Sequence, residues 1–285
     1  MTASRRLQQP GPPRPERWLA AAGLARVLDF VLEPGLTLNE AIARPLAAAG
    51  IAGGTVDLDG GALGPFTYVM PALSDDPRFA AYYSRNYAPA GETRFERGAA
   101  TFGRRDGAPF VHCHGVWREP AGSRRGGHVM PLDTIVAAPI TARAVGVAEA
   151  RFEVLPDAET NFSIFAPVQG DAPSDAPGGS RRALLLKVQP NERIDEALAA
   201  ACRAHGLAAA RVHGVGSFVG AAFADGRYAP SIATEIFIER GSVRTGEVSL
   251  DITLVDVDGA IHAGRVAPGN PICITFELTL EEVDP

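Results

Sequence analysis

Three histidines are spaced so that they could bind one metal ion. His112 and His114 lie one residue apart in the apolar stretch "FVHCHGVW", and His128 follows in "GGHV" after the turn-like stretch "REPAGSRRGG". On a β-strand, residues i and i+2 point to the same face, so these two imidazoles converge while Cys113 points to the other face. If the chain returns as a hairpin, His128 lies opposite them, about 5 Å away. Three imidazoles around an open fourth position are typical of catalytic zinc.

The alternative is that the three histidines only pack in a half-buried sheet. One histidine on a strand is more often a packing residue than a ligand, but three with matched spacing favour a shared site. The residues leave open whether such a site performs chemistry, binds a small molecule or only stabilises a hairpin.

The composition is that of an ordinary globular protein. The chain has 285 residues, of which 46% are apolar and 21% charged, which is enough for a core and for more than one domain. A formal net charge of −6 gives no simple argument for nucleic-acid binding, which depends on a basic patch. Three widely spaced cysteines predict a reducing compartment, and the proline-rich start does not resemble a signal peptide. We therefore expect a cytoplasmic protein with no membrane partner.

Two stretches of the chain repeat at a constant offset of 156 residues. "LDFVLEPGLTLNEAIARPLAAAGIAGGTVDLDGG" begins at Leu28, and "LLLKVQPNERIDEALAAACRAHGLAAARVHGVGS" begins at Leu184. Apolar residues recur at helical spacing in both, and each run ends at a glycine, Gly50 or Gly206. Short β-branched runs separated by turns follow in each copy. The sequence predicts a duplicated α+β protein, each copy a mainly antiparallel sheet with one principal helix.

This repeat sets the predicted domain limits. Residues 1–20 form a mobile tail, residues 21–165 the first domain, residues 166–182 a linker and residues 183–285 the second domain. The linker assignment depends on the Pro, Gly, Asp and Ser content of "APVQGDAPSDAPGGSRR".

The first copy carries an insertion rich in aromatic residues. "PFTYVMPALSDDPRFAAYYSRNYAP" contains four of the five tyrosines of the chain. These rings either pack on the sheet or in a subunit contact, or they form the wall of a small-molecule pocket over the metal. In the second interpretation, we expect the ligand to contact Tyr82, Tyr83, Arg85, Tyr87 and Glu92.

Several of these motifs resemble one known family. "LEPGLTLNEAI", "HCH" and "GGH" in the first copy, with "HGVGSF", "TEIFIERGSV" and "DVDGAIHAGRV" in the second, are similar to the PPC domain (plants and prokaryotes conserved, also called DUF296). The resemblance implies two tandem domains and assembly as a homotrimer. It also implies that His112, His114 and His128 bind zinc or another divalent metal. Plant relatives carry an AT-hook beside the domain and bind AT-rich DNA.

The second copy departs from the family pattern at the metal site. Ser249, Asp251 and Arg265 occupy the triad positions there, and an arginine repels a cation. The Arg-Gly-Arg-Pro core of an AT-hook is also missing. We therefore expect a zinc-binding protein that binds or acts on a small molecule. The alternatives are a DNA-associated or transcription-associated protein, as in the AT-hook members, and a purely structural trimeric scaffold.

Overall fold

The computed structural model describes residues 5–170 and 181–285. In the first half, the elements are β1 (Trp18–Leu24), β2 (Arg26–Leu32), α1 (Leu38–Ala48), β3 (Gly53–Asp59), β4 (Ala62–Leu63), β5 (Tyr68–Val69), β6 (Pro71–Ala72), β7 (Tyr82–Tyr83), β8 (Thr93–Arg105), β9 (Ala108–Arg118), β10 (Arg124–Val129), β11 (Val136–Ala138), β12 (Ile140–Val147), β13 (Ala150–Pro156) and β14 (Ser163–Gln169). In the second half, they are β15 (Arg182–Val188), α2 (Ile194–Ala204), β16 (Ala209–Phe218), β17 (Ala221–Ala222), β18 (Tyr228–Ala229), β19 (Thr234–Arg244), β20 (Glu247–Asp256), β21 (Ile261–Arg265) and β22 (Ile272–Glu282).

The two halves have the same topology. Neighbouring strands run in the order β2-β12-β3-β8-β9-β10 in the first half and β15-β22-β16-β19-β20-β21 in the second, and every neighbouring pair is antiparallel. Strands that occupy the same place in the two sheets also come in the same order along the chain. The predicted duplication and the α+β class with mainly antiparallel sheets are confirmed.

Each sheet packs against one helix, and both helices lie where the repeat predicts them. The N-terminus of α1 is stabilised by a capping box, in which the Thr37 side chain accepts a hydrogen bond from Glu40 N and the Glu40 side chain accepts one from Thr37 N. Gly50 and Gly206 follow α1 and α2 with φ of 67° and 65°, the left-handed conformation that ends helices. The apolar faces of the two helices pack into two separate cores, one in each half.

The first strand crosses from one half to the other and corrects the predicted domain limits. β1 pairs along its whole length with β15 and so extends the sheet of the second half. The predicted mobile tail also packs on that half: Leu7 hydrogen-bonds Asn191, and the Gln9 amide donates to the Cys273 carbonyl. Among the described residues, 5–17 form no strand, and their polar groups find partners in both halves, since Gly11 N and Arg14 N donate hydrogen bonds to Glu159 of the first half.

The predicted linker is also shorter than expected. β14 continues to Gln169, and it pairs with β13 in a hairpin that follows the last strand of the first sheet. Most of the remaining linker, residues 171–180, lies outside the described residues. Within the described part of the chain, neither helix reaches the length and apolar character that a bilayer crossing requires.

A third apolar cluster joins the two halves. Ala99 and Val116 from the first sheet pack against Val215, Phe237 and Val255 from the second. Polar contacts surround this cluster, among them an ion pair between Arg97 and Glu239 at 2.8 Å. The face of β8 and β9 therefore packs against β16 and β19, and the side chains at the end of this interface form the site described next.

Candidate metal centre

The hairpin of β9 and β10 brings the three histidines together. His128 lies directly opposite His114 in the antiparallel register, and His112 lies two residues before His114 on the same face. One nitrogen of each ring lies within 4.8 Å of one nitrogen of each of the others. Cys113 points away and is buried in the core of the first half, where burial raises the pKa of its thiol to about 12.

Hydrogen-bond partners fix the protons of two of the imidazoles. His112 Nδ1 lies 2.8 Å from Glu277 Oε2, and His114 Nδ1 lies 2.8 Å from the carbonyl oxygen of Ile236. An ionised carboxylate and a carbonyl only accept hydrogen bonds, so in both rings Nδ1 is the nitrogen that carries the proton. In the neutral imidazoles, both Nε2 atoms therefore carry lone pairs.

These lone pairs point at one another. The two Nε2 atoms of His112 and His114 are 2.9 Å apart, and Glu235 Oε2 lies 2.6 Å from His114 Nε2. His128 Nδ1 is buried without a hydrogen-bond partner among the described residues. Several buried electron-pair donors thus converge without hydrogens of their own, and a bound cation or an added proton is needed to relieve their repulsion.

The donor set fits zinc. Three imidazoles and one carboxylate are all common zinc ligands, and zinc–nitrogen bonds of about 2.0–2.1 Å place the ligand atoms of a tetrahedral site about 3.3 Å apart. The contacts of 2.9 and 2.6 Å need to open by about 0.4 and 0.7 Å to reach this tetrahedral spacing, while His128 needs to approach. The second half also orients the ring of His112 through Glu277, as metal-bound histidines require.

The surroundings shift the pKa values of two of the histidines, His128 and His112, in opposite directions. Burial lowers the pKa of His128 well below its ordinary value, and the neighbouring His112 and His114 lower it further. Burial also lowers the pKa of His112, but the charge and hydrogen bond of Glu277 and the charge of Glu235 outweigh it and raise this pKa. His128 is therefore neutral at neutral pH, whereas at His112 a proton would compete with any bound metal ion.

Two small cavities border the cluster. One, of about 50 Å³, lies beside His112, His114 and Glu235, and Tyr82 and Phe162 are among its walls. The other, also of about 50 Å³, lies beside His112 and His128. Each has room for one or two water molecules, since water occupies about 30 Å³ in the liquid. Typical drug-sized ligands need about 300–1,000 Å³, so only a very small ligand fits without movement of the walls.

Part of the aromatic insertion covers the histidines. Strands β6 and β7 form a short hairpin, and the ring of Tyr83 lies 5.1 Å from the ring of His128. Tyr82 stacks on Phe162, which belongs to the loop between β13 and β14. Of the five residues predicted to contact a ligand, Tyr82 and Tyr83 line a cavity beside the histidines.

The structure does not bring the other three to the histidines. Tyr87 stacks on Tyr68 at the edge of the first core, and the Arg85 guanidinium lies over the Tyr87 ring. Glu92 lines a different cavity together with Gly64 and Pro65. None of these three side chains lines either cavity beside the cluster.

A line of buried charges extends from His112 into the second half. Lys187, the only lysine in the chain, lies directly opposite Glu277 on the neighbouring strand, so the two side chains share a face of the sheet. Its ammonium group is 2.6 Å from Asp157 Oδ2, and both side chains are 2% exposed. Burial lowers the pKa of Lys187, and the charge of Asp157 acts against this shift. Lys187 thus places a positive charge near the carboxylate that orients His112.

The sequence alone does not identify Glu235, Glu277, Lys187 or Phe162 as site residues. Glu235 and Glu277 come from the second half, so no spacing along the chain connects them with the histidines. A signal did exist for Lys187 and Glu277, because each is a single charge within an apolar strand, in "ALLLKV" and "ICITFEL". A charge at such a position is expected to have a buried partner.

These features define a duplicated α+β protein with a histidine cluster where its two halves meet. The profile of the Plants and Prokaryotes Conserved (PCC) domain, the family abbreviated PPC above, matches residues 176–284. The second half of the chain therefore matches this domain, and the first half repeats its strand order.

Solved structures are similar to the chain over about half its length. A PPC protein from Pyrococcus horikoshii is 17% identical and aligns with 52% of this chain and 96% of its own, with a TM-score of 0.41. A metal-containing protein from Archaeoglobus fulgidus is 16% identical and aligns with 52% of this chain and 98% of its own, with a TM-score of 0.41. A protein from Ralstonia eutropha JMP134, named as a candidate DNA-binding protein, is 14% identical and aligns with 48% of this chain and 89% of its own, with a TM-score of 0.36. No protein with a curated description matches the chain.

Proposed function

We propose that this protein binds a divalent metal ion, zinc, through His112, His114 and His128, and that the metal binds a small molecule beside it. The observation that carries the proposal is the contact of 2.9 Å between two Nε2 atoms whose rings have their protons on Nδ1. Glu235 is the fourth donor, and it comes from the other half of the chain. A closed four-ligand site would be structural, whereas displacement of Glu235 by a ligand would open it for chemistry.

The cavity beside Glu235 supports the small-molecule part of the proposal. It connects the metal ligands with aromatic walls, Tyr82 and Phe162, and with the hydroxyl group of Thr275, which is buried without a hydrogen-bond partner among the described residues. Zinc in such a site supplies a Lewis acid for a carbonyl group or lowers the pKa of bound water to about 7. Glu235 lies where it can accept a proton from a group bound next to His114.

Elemental analysis by mass spectrometry tests the metal. We expect about one zinc per chain in the wild-type protein and loss of zinc in His112→Ala, His114→Ala and His128→Ala. His262→Ala is the matched control, because His262 pairs with Asp256 in the second half, away from the cluster. Absence of metal from the wild type after addition of zinc, or full zinc content in the three variants, would contradict the proposal.

The variant Glu235→Gln tests whether Glu235 only closes a structural metal site or moves aside when a small molecule binds. If Glu235 only closes a structural site, the variant loses zinc affinity and thermal stability together. If it moves aside for a ligand, the variant keeps zinc through the three histidines but binds small carbonyl compounds or anions at the metal more weakly or more tightly, as measured by Co²⁺ absorption spectra.

Homotrimer formation, which the resemblance implies, stays a prediction, and light scattering would test it against the chain mass of 29.9 kDa.

A further inference from the structure

The second half keeps the position of the metal site but has changed its chemistry. Asp251 lies opposite Arg265 in the register of β20 and β21, as His114 lies opposite His128 in the first half. Two hydrogen bonds of 3.0 and 2.8 Å join the Arg265 guanidinium to the Asp251 carboxylate. The positions that offer lone pairs in the first half are thus occupied by an ion pair, and no metal ion fits between these two groups.

A cavity remains at this position and is much larger than those beside the histidines. Its volume is about 450 Å³, compared with about 50 Å³ for each of the others. This volume lies within the range of about 300–1,000 Å³ that small-molecule sites occupy. The walls are polar: four arginines, one histidine, two serines and two acids, namely Arg211, Arg240, Arg244, Arg265, His213, Ser242, Ser249, Glu239 and Asp251, with Val212 and Gly241 between them.

The walls carry an excess of positive charge, although the whole chain has a formal net charge of −6. Arg211 is paired with Glu281, and Arg265 is paired with Asp251. Among the residues that the structure describes, Arg240 has no acidic partner, and Arg244 contacts only the backbone carbonyl of Asp284. Two guanidinium groups at the cavity therefore have donors available, and the hydroxyl groups of the two serines lie beside them.

We propose that this cavity binds a small anion that carries a phosphate group. The planar guanidinium donors of Arg240 and Arg244 match phosphate oxygens in pairs, and serine hydroxyls add single donors. A bounded cavity fits a small ligand, whereas double-stranded DNA requires a basic surface that extends over several phosphates. The duplicated chain would then hold a cation in one half and an anion at the corresponding position of the other.

Calorimetric titration with adenosine 5′-monophosphate at low salt tests this site. We expect saturable binding to the wild-type protein, at least about tenfold weaker binding to Arg240→Ala, since a charged hydrogen bond contributes about 1.5–3 kcal/mol, and none to Arg240→Ala/Arg244→Ala. Arg104→Ala is the matched control, since Arg104 is an exposed arginine on β8, the counterpart of β19. His114→Ala should bind the nucleotide as the wild type does, so failure at the metal site and failure here can be told apart.

Three results would overturn the proposal. The first is no heat of binding with the nucleotide at about 1 mM, which corresponds to a binding free energy weaker than about −4 kcal/mol. The second is tighter binding of a DNA duplex that depends on the same two arginines, which would make the face a nucleic-acid interface. The third is dissociation of an oligomer in the double variant together with unchanged nucleotide binding, which would assign the face to a second copy of the chain.

Discussion

The buried pair of Lys187 and Asp157 gives a prediction whose size follows from the structure. The two groups are 2.6 Å apart and 2% exposed, so neither charge is solvated by bulk water. Lys187→Met removes one charge, keeps the volume and leaves the other carboxylate buried. Removal of one partner of a buried ion pair costs about 3–5 kcal/mol.

The remaining contacts of Asp157 place the expected value at the lower end of this range. Its Oδ1 accepts hydrogen bonds from the backbone N–H groups of Glu159 and Thr160 and from the Thr160 hydroxyl, at 3.0 to 3.1 Å. These donors stabilise the carboxylate in the variant, so we expect Lys187→Met to lower the free energy of unfolding by about 3 kcal/mol. Urea unfolding at pH 7, followed by circular dichroism, measures this difference.

A double-mutant cycle separates the pair from other effects of the substitution. Asp157→Asn leaves the ammonium group buried without its partner, and Lys187→Met/Asp157→Asn removes both charges. We expect the double variant to be more stable than the sum of the two losses predicts, by about 1–3 kcal/mol. Additive losses, or a loss below about 1 kcal/mol for Lys187→Met, would refute the argument that these charges depend on each other.

Three further predictions concern the interface, the hairpin and the cavity wall. Burial lowers the pKa of His213, but the hydrogen bond to Asp57 and the nearby carboxylate of Glu281 outweigh it and raise the pKa from 6.5 to about 9. The protonated His213 therefore stabilises the fold by at most about 3 kcal/mol. This contribution is fully present below pH 6.5 and is lost as the pH rises through 9. The stability of His213→Gln, measured by urea unfolding at several pH values, should depend less on pH than that of the wild type. Gly127→Ala should unfold at lower urea and bind zinc more weakly, because φ is 151° and a Cβ would lie 2.4 Å from a backbone oxygen. Tyr83→Ala should retain zinc but release it faster to a chelator in a stopped-flow assay, since its ring covers the cluster.

The sequence predicted the parts of this protein that depend on local patterns. The helix positions follow from apolar periodicity, and the matched ends of the two copies follow from a repeat without gaps. The hairpin of His112, His114 and His128 follows from the alternation of side chains along a strand. Each of these inferences needs only residues that are close in the chain or related by one offset.

The packing of one half against the other could not be predicted in this way. Glu235 and Glu277 reach the histidines only because β19 packs against β9 and β22 packs against β3 and β12, and the packing of one sheet on another is not visible in spacing. The insertion shows the same limit: Tyr83 and Tyr87 are four residues apart, but one covers a histidine and the other stacks in the first core. The tail was predicted to be mobile because its composition is polar and proline-rich, yet its hydrogen-bond partners, such as Glu159 and Asn191, lie far away in the sequence.

A crystal structure with anomalous diffraction at the zinc absorption edge would test the account most directly. We predict one strong anomalous peak per chain, about 2.0–2.1 Å from the Nε2 atoms of His112 and His114 and from a ring nitrogen of His128. We predict no such peak between Asp251 and Arg265. A peak outside the histidine cluster, or no peak after crystals are soaked in zinc, would contradict it.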